Sequence, residues 1–370
     1  MNVLYLVNQN IFNVKSGGGQ CAKRNYDSVR EILNDTDVLY TCIISPEFMH
    51  VEEKERELHI PGLVGNLQSV IAALFGYKCY KRKYNKKILK YIEQIKPDLI
   101  YIDTSKMGNL AKKIKIKSES RVICFFHNVE SDYSLNLVRN RGKQYLLSYL
   151  ASLQNEKNAI KYADKLIALT VRDSNRINQL YGRTPDSIIP ISFKDKFDSD
   201  KCNINADNGL LFIGSLFPPN YDSIKWFIDK VMSQLPEQKL TIVGKDFEQK
   251  KAELECTNVK VVGSVDDLEE FYYTYPVMVM PIQYGAGMKV KMAEAMMYNK
   301  IVLATDEALE GYEIDGNRGI FRCNTAEEFI NTINNIQRGN IKICPESREV
   351  FLKRYENGII ENQFRELIKL

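Results

Sequence analysis

The sequence predicts an α/β protein made of two doubly wound units with parallel sheets. Three observations carry this expectation. Short β-rich runs alternate with helical patterns, the alternation occurs twice with a polar break between, and 370 residues is about two ordinary domains. Strands are expected in the first half at Val3–Val7, Val38–Ile43, Leu99–Ile102, Val122–Phe126, Leu166–Leu169 and Ile188–Ile191, with helices between most of them. The second half repeats the pattern at Leu210–Ile213, Leu240–Val243, Val259–Val262, Val277–Met280, Ile301–Ala304 and Gly319–Phe321. The stretch from Ser192 to Lys201, continued by Asn203, Asn205, Asp207, Asn208 and Gly209, shows neither period and reads as a hinge. Domains are therefore expected at 1–193 and 208–350. Val350, Phe351, Tyr355, Ile359, Phe364 and Leu367 recur at helical spacing, so a helix over about 352–370 is expected to cross back onto the first domain. Open parallel sheets bind ligands at the carboxyl ends of their strands, and two facing sheets would enclose a cleft.

Hydrophobic residues at 44%, charged residues at 26%, 20 Gly and 11 Pro exclude a disordered, collagen-like or coiled-coil chain. No apolar run approaches the roughly 20 residues that cross a bilayer, and the start of the chain lacks the basic residues and small-residue cleavage site of a signal peptide. The eight cysteines include no Cys-x-x-Cys pair, and His50, His59 and His127 have no metal-ligand spacing. Reduced thiols, a cytoplasmic location and no metal are expected. The net charge of +4 conceals an asymmetry: residues 1–193 hold 29 Lys and Arg against 19 Asp and Glu, and the remainder holds 22 against 28. Much of the surplus lies in Lys78, Lys81, Arg82, Lys83, Lys86, Lys87 and Lys90, and in Lys112, Lys113, Lys115 and Lys117. Such clusters read either as solvated helix faces or as attraction to anionic lipid or a phosphate-bearing acceptor. No nucleic-acid reading motif accompanies them. Just upstream of the first cluster, Ile60–Gly65 and Val70–Phe75 are apolar, which fits either a buried helix or contact with a membrane surface.

The segment Pro281–Met296 is the richest in chemistry. A strand ends at Pro281, Gly285 and Gly287 permit a tight turn around Ala286, and strong helix formers begin at Met288. Loop N–H groups and the helix dipole would receive a diphosphate there, with Lys289 and Lys291 adding full charge. Glu294, one helical turn after Lys291, is placed to accept from ribose hydroxyls or to pair with that lysine. In the first half, Lys15-Ser16-Gly17-Gly18-Gly19-Gln20 joins a strand to a helix, and His127, Asn128 and Glu130 follow another strand's carboxyl end.

Taken together, Pro281, Gly285-Ala286-Gly287, Lys291, Glu294-Ala295-Met296, Thr305 and Glu310-Gly311 resemble the donor-site pattern of the retaining glycosyltransferases of family four. Upstream, Phe212-Ile213-Gly214-Ser215, Ile242-Val243-Gly244 and Val262-Gly263-Ser264 extend the likeness over most of 209–324. The resemblance implies the GT-B plan of two facing Rossmann-like domains and transfer of a sugar from a nucleotide diphosphate, UDP first among the candidates, with the anomeric configuration retained. It assigns Gly285, Ala286, Gly287, Met288, Lys289 and Lys291 to the donor diphosphate and sugar, and Gly214, Gly244, Val265 and Glu294 to the nucleoside. Gly18 and Gly19 would approach the donor from the first domain, His127 would act with Lys291 and Glu294 in catalysis, and Asn128 and Glu130 would meet the acceptor. The acceptor it implies is a glycan, free or linked to polyprenyl diphosphate, at the inner face of the cell membrane, with no cofactor and no metal. The pattern departs from many relatives in two places: Ala286 stands where a first glutamate would be, and Phe217-Pro218-Pro219-Asn220 lacks the Arg and Lys often found there. A sugar-nucleotide 2-epimerase and a catalytically silent scaffold are the alternative readings.

Overall fold

The computed structural model of the chain describes residues 1–14, 17–201, 209–285, 287–314, 319–339 and 346–369. It divides into two compact units, one of Met1–Pro190 with Ile360–Leu370, the other of Ile191–Ile359. Among the described residues the strands are β1 Asn2–Val7, β2 Val38–Ser45, β3 Glu52–Glu53, β4 Glu57–Pro61, β5 Leu99–Ile102, β6 Arg121–Phe126, β7 Lys165–Ala168 and β8 Ser187–Ile188 in the first unit, then β9 Leu210–Ile213, β10 Leu240–Val243, β11 Val259–Gly263, β12 Val277–Met280, β13 Ile301–Ala304 and β14 Ile320–Arg322 in the second. The helices are α1 Gly17–Ile32, α2 Gly65–Leu74, α3 Asn85–Ile95, α4 Gly108–Lys117, α5 Glu130–Arg141, α6 Leu146–Tyr162, α7 Val171–Tyr181, α8 Pro218–Lys230, α9 Lys251–Leu254, α10 Glu269–Thr274, α11 Val290–Met297, α12 Ala326–Gln337, α13 Ser347–Arg354 and α14 Asn357–Lys369.

The first sheet has the order β3-β4-β2-β1-β5-β6-β7-β8, parallel except where β3 meets β4. β1 sits between β2 and β5, with Val3 opposite both Leu39 and Leu99. Val3 to Val7 are fully buried, as a strand covered on both faces requires. The short β3 and β4 are absent from the sequence expectation, because the edge strand β3 is only Glu52 and Glu53 and the apolar run of β4 is broken by His59 and ends at Pro61. β8 stops two residues after it begins, short of the expected Ile191, since Pro190 has no N–H to give the ladder.

Buried asparagines lock the helices on one side of this sheet. Asn155 on α6 accepts from the Asn109 N–H at 3.0 Å and donates to Gly76 O at 2.8 Å, and Asn158 donates to Asn109 at 2.6 Å. Gly108 begins α4 against the α6 backbone, where a Cβ would lie 1.8 Å from Asn155 O. The chain returns to the first unit through its last helix. Ile360, Phe364, Leu367 and Ile368 are buried at helical spacing, Phe364 lies 6.4 Å from the Tyr101 ring, and the Arg121 guanidinium donates to the Leu367 and Ile368 carbonyls.

The second sheet has the order β11-β10-β9-β12-β13-β14, all parallel. This is the doubly wound dinucleotide-binding arrangement, in which direction reverses beside the first strand. The described part of the expected hinge is fastened to this unit: Phe193 exchanges backbone hydrogen bonds with Tyr355 and Asn357, and Arg348 pairs with Asp195 while lying 4.3 Å above the Phe197 ring. Residues 202–208 of that stretch lie outside the described residues.

Gly108→Ala is expected to force α4 off α6 and destabilise the protein by roughly 2 kcal/mol, a fall of about 5 °C in Tm. Thermal unfolding checks it, and an unchanged midpoint would contradict the close approach.

Candidate active site

In the second unit the strand order reverses between β9 and β12, and the loops leaving these strands are held at backbone distance. Gly214 donates to Val243 O at 3.0 Å and Gly244 to Gly263 O at 2.8 Å. Gly244 has φ of +147°, and a Cβ there would lie 1.8 Å from Gly214 O, so only glycine lets the ends of β9 and β10 meet. Half-buried Val265 follows the neighbouring end of β11. Gly214, Gly244 and Val265 thus share one end of the sheet.

The loop after β12 is tied down on both sides. Gln283 N–H donates to Ser223 Oγ at 3.2 Å, the Tyr284 hydroxyl bonds Asp222, and Thr305 at the end of β13 donates to Ile282 O. Gly287 takes φ of +65°, while Ala286 lies outside the described residues. Met288 is buried, with its sulfur 3.5 Å from the Ile191 N–H. Helix α11 starts at Val290, two residues later than expected, so Lys289 caps it rather than sitting in its first turn. Lys289 Nζ donates to Gly287 O at 2.9 Å and to Glu307 Oε1 at 2.7 Å, and its carbonyl accepts from the Tyr312 hydroxyl at 2.9 Å. Gly285 lies against the same pair, since a Cβ on it would be 3.4 Å from Glu307 Oε1. Lys291 Nζ is 2.5 Å from Glu294 Oε2, which also accepts from the Tyr272 hydroxyl at 2.8 Å. Tyr272 is itself fixed by stacking on Tyr298 at 4.6 Å. Two cations at a helix start oppose the dipole. In this structure Glu307 and Glu294 supply the counter-charge.

The first sheet reverses between β1 and β5, and the same kind of cluster stands at its carboxyl end. Gly18 and buried Gly19 open α1, while Lys15 and Ser16 lie outside the described residues. A Cβ at Gly18 would be 3.4 Å from the Gln9 side chain. Beyond β6, His127 Nε2 lies 3.0 Å from Asp103 Oδ2 and 2.9 Å from Asp103 O. Asp103 is fully buried and also accepts from Asn25 at 2.6 Å. Burial opposes a charge on His127, but the Asp103 carboxylate and the Cys21 thiol outweigh it and hold the imidazole pKa well above its ordinary value. Burial likewise pushes the Cys21 thiol up, yet His127 and Arg24 bring it below the ordinary thiol range.

Glu130, at the start of α5, is buried and 3.0 Å from Lys106 Nζ. Burial raises its pKa, whereas Lys106 and Lys78 lower it more, leaving the carboxyl below its ordinary value. Lys78 is not the surface cation its sequence neighbours suggest. It is largely buried, donating to Ser134, Ser148 and Ser152 at 3.1, 2.9 and 2.7 Å. Asn128 Oδ1 is buried and finds no hydrogen-bond partner among the described residues. Beneath α5, Glu156 accepts from the Ser131 N–H at 3.3 Å and from Tyr181 at 2.6 Å, and burial pushes its pKa up to about 7.

With the geometry established, comparison with known proteins identifies the second unit. Residues 207–338 match the family model described as glycosyl transferases group 1. This stretch is a glycosyl transferases group 1 domain. A protein of Klebsiella pneumoniae, described as an uncharacterized 44.6 kDa protein in the cps region, is 26% identical over 303 residues, spanning 75% of this chain and 76% of its own length. Sucrose-phosphate synthase from Thermosynechococcus elongatus superposes with a TM-score of 0.77 at 14% identity, covering 100% of this chain and 98% of the other. Anabaena HepE, solved with UDP and glucose, gives 0.72 at 16% identity, covering 100% and 99%. The fold is therefore that of the GT-B glycosyltransferases, two Rossmann-like units in one chain.

In the glycosyl transferases group 1 domain Gly214, Gly244, Gly285, Gly287 and Lys289 all follow the carboxyl ends of strands, and Lys291 and Glu294 lie on the helix that begins there. Sequence reasoning missed their partners Glu307 and Tyr272, and in the first unit Asp103 and Lys106. Asp103 and Glu307 each fall within three residues of the end of an apolar run, and that is the signal that could have found them.

A carboxyl raised from its ordinary value to about 7 binds a proton more readily in the folded chain than in the unfolded one. Glu156 therefore makes stability fall as pH rises through the interval between those values, by roughly 3 kcal/mol in all. Glu156→Gln is expected to remove that fall, so that its Tm relative to wild type rises between about pH 5 and about pH 8. Parallel Tm profiles for the two proteins would contradict the assignment.

Proposed function

We propose that this protein transfers a sugar from a nucleotide diphosphate to a glycan or lipid-linked glycan, retaining the anomeric configuration, in surface polysaccharide synthesis. The observation that carries the reading is the pairing of Lys289 with Glu307 and Lys291 with Glu294 where the glycine turn meets α11. An arriving diphosphate offers these ammonium groups denser charge than a carboxylate does, together with the loop N–H groups and the positive helix end. Once it has displaced those partners, the same groups stabilise the charge that grows on the leaving phosphate, which is the principal electrostatic demand of the reaction. Gly214 and Gly244, where the ends of β9 and β10 meet, are proposed to border the nucleoside, and Glu294, released from Lys291, can accept from ribose. UDP is proposed as the nucleotide because HepE, which shares the fold, was solved with UDP and glucose. The polysaccharide role is supported by the cps-region relative.

Retention is supported by the first unit's chemistry. His127 is held as a cation by Asp103, and Glu130 is held as a weakly basic carboxylate by Lys106, so neither is suited to remove a proton from the acceptor hydroxyl. The departing phosphate oxygen can take that proton instead. The bond from the anomeric carbon to phosphate breaks as the bond to the acceptor oxygen forms on the same face, and the hydroxyl proton ends on the nucleoside diphosphate. The first unit's cluster, with Asn128, Glu130 and Lys106, is proposed to orient the acceptor.

Lys291→Ala is expected to fold normally and to lose roughly 100-fold in turnover, the cost of one well-placed electrostatic group. Nucleotide release from a panel of UDP-, GDP- and dTDP-sugars, with NMR of the product's anomeric proton, checks both activity and retention. Near-normal turnover in the variant would overturn the site, and an inverted product would overturn the proton route.

A further inference from the structure

Helix α2 is inside out. Leu67, Val70, Ile71 and Leu74 recur at the spacing that normally marks a core-facing stripe, yet all four are exposed, Leu67 to 73% and Leu74 to 60%. Val64 before the helix and Phe75 after it are also more than half exposed, and Ala72 is the one buried residue of the helix. The asparagines at Gly76 fasten the helix by its carboxyl end, so its position is set while its apolar side remains open. Contiguous apolar surface of this kind on a soluble face marks a site of association.

The charge beside it identifies what associates. From Leu58 to Ile92 the chain carries seven Lys and Arg and no Asp or Glu. Lys78 is half-buried and bonded to three serines, but Arg82, Lys83, Lys86 and Lys90 are exposed on the turn after α2 and on α3, and Lys87 is paired with Glu53. The Arg82 guanidinium lies 5.8 Å over the Phe75 ring, which joins the basic and apolar surfaces into one. An apolar helix face flanked by exposed cations is the pattern that lies in the interface of an anionic bilayer, the stripe among the upper acyl chains and the cations among headgroup phosphates. Among the described residues no helix is long and apolar enough to cross a membrane. We infer that α2 and the Arg82–Lys90 surface form a docking face for anionic membrane. This face lies outside the proposed donor site and does not depend on that reading.

The test is co-sedimentation of the full-length protein with vesicles of phosphatidylcholine alone and of phosphatidylcholine mixed with phosphatidylglycerol. Binding is expected to the mixed vesicles only, and to weaken with salt. Leu67→Ser/Ile71→Ser/Leu74→Ser and Arg82→Glu/Lys83→Glu/Lys86→Glu should each keep the wild-type melting curve and donor turnover without acceptor. The charge-reversed protein should lose on the order of 100-fold in vesicle affinity, at about a tenfold share or less for each cation. Leu67→Trp should show a blue-shifted emission with mixed vesicles and none with neutral ones. No binding, equal binding to both vesicle types, or binding that survives both triple substitutions would overturn the proposal. So would a concentration-dependent dimer abolished by the serine substitutions, which would assign the face to a second copy of this chain. Loss of donor turnover in Lys291→Ala with vesicle binding intact separates this result from the donor-site reading.

Discussion

Charge at the carboxyl ends of the two sheets is the constraint on which the site depends. Helices begin there with their positive ends inward, and the chain adds Lys289, Lys291, Lys106 and His127 to the same places. A concentration of positive charge in half-buried surroundings is unstable by itself, so every one of these cations has a carboxylate within about 3 Å: Glu307, Glu294, Glu130 and Asp103. The units differ in how deeply the carboxylate is placed. Asp103 is sealed from solvent and bonded to Asn25 as well, whereas Glu307 and Glu294 retain partial exposure.

That difference divides the roles. A partly exposed carboxylate in a lysine pair can be exchanged for a ligand anion, because water and neighbouring donors can take up the charge it leaves behind. A fully buried carboxylate cannot be given up without stranding its partner, which costs several kcal/mol, so Asp103 holds His127 in place and favours its charged form. The lysine pairs of the second unit are thus the ones open to exchange of counter-ions. The buried pair of the first unit holds its charges in place.

The strands of both sheets were legible in the sequence because parallel strands buried on two faces are short apolar runs, and nearly all such runs became strands. The runs that failed to announce themselves are Glu52–Glu53, a two-residue exposed edge strand, and Glu57–Pro61, a strand inside the sheet whose short apolar run is interrupted by His59 and ends at Pro61. The same logic divides the site. Gly285, Gly287, Lys289 and Lys291 were visible because local spacing alone sets a turn and a helix start. Their partners were not, because Glu307 lies beyond the following strand and Asp103 is 24 residues before His127. Local pattern shows where a cation stands, and only the fold shows what neutralises it.

Helix α2 marks a second limit of the same kind. Its period is plain in the sequence, and a period of 3.6 states that one side is apolar without stating what covers it. The covering is decided by the body of the unit, and here α6 meets α2 through Gly76 and the side of Ala72, leaving Leu67, Ile71 and Leu74 outside. Solvating that stripe costs free energy in proportion to its apolar area, and a fold with no further use for it would gain by replacing each residue with a polar one. Retaining five large apolar side chains from Leu67 to Phe75 next to the longest acid-free stretch of the first unit ties the two anomalies to one cause. Under the docking proposal one anionic surface answers both, receiving the apolar stripe among its acyl chains and the cations among its headgroups.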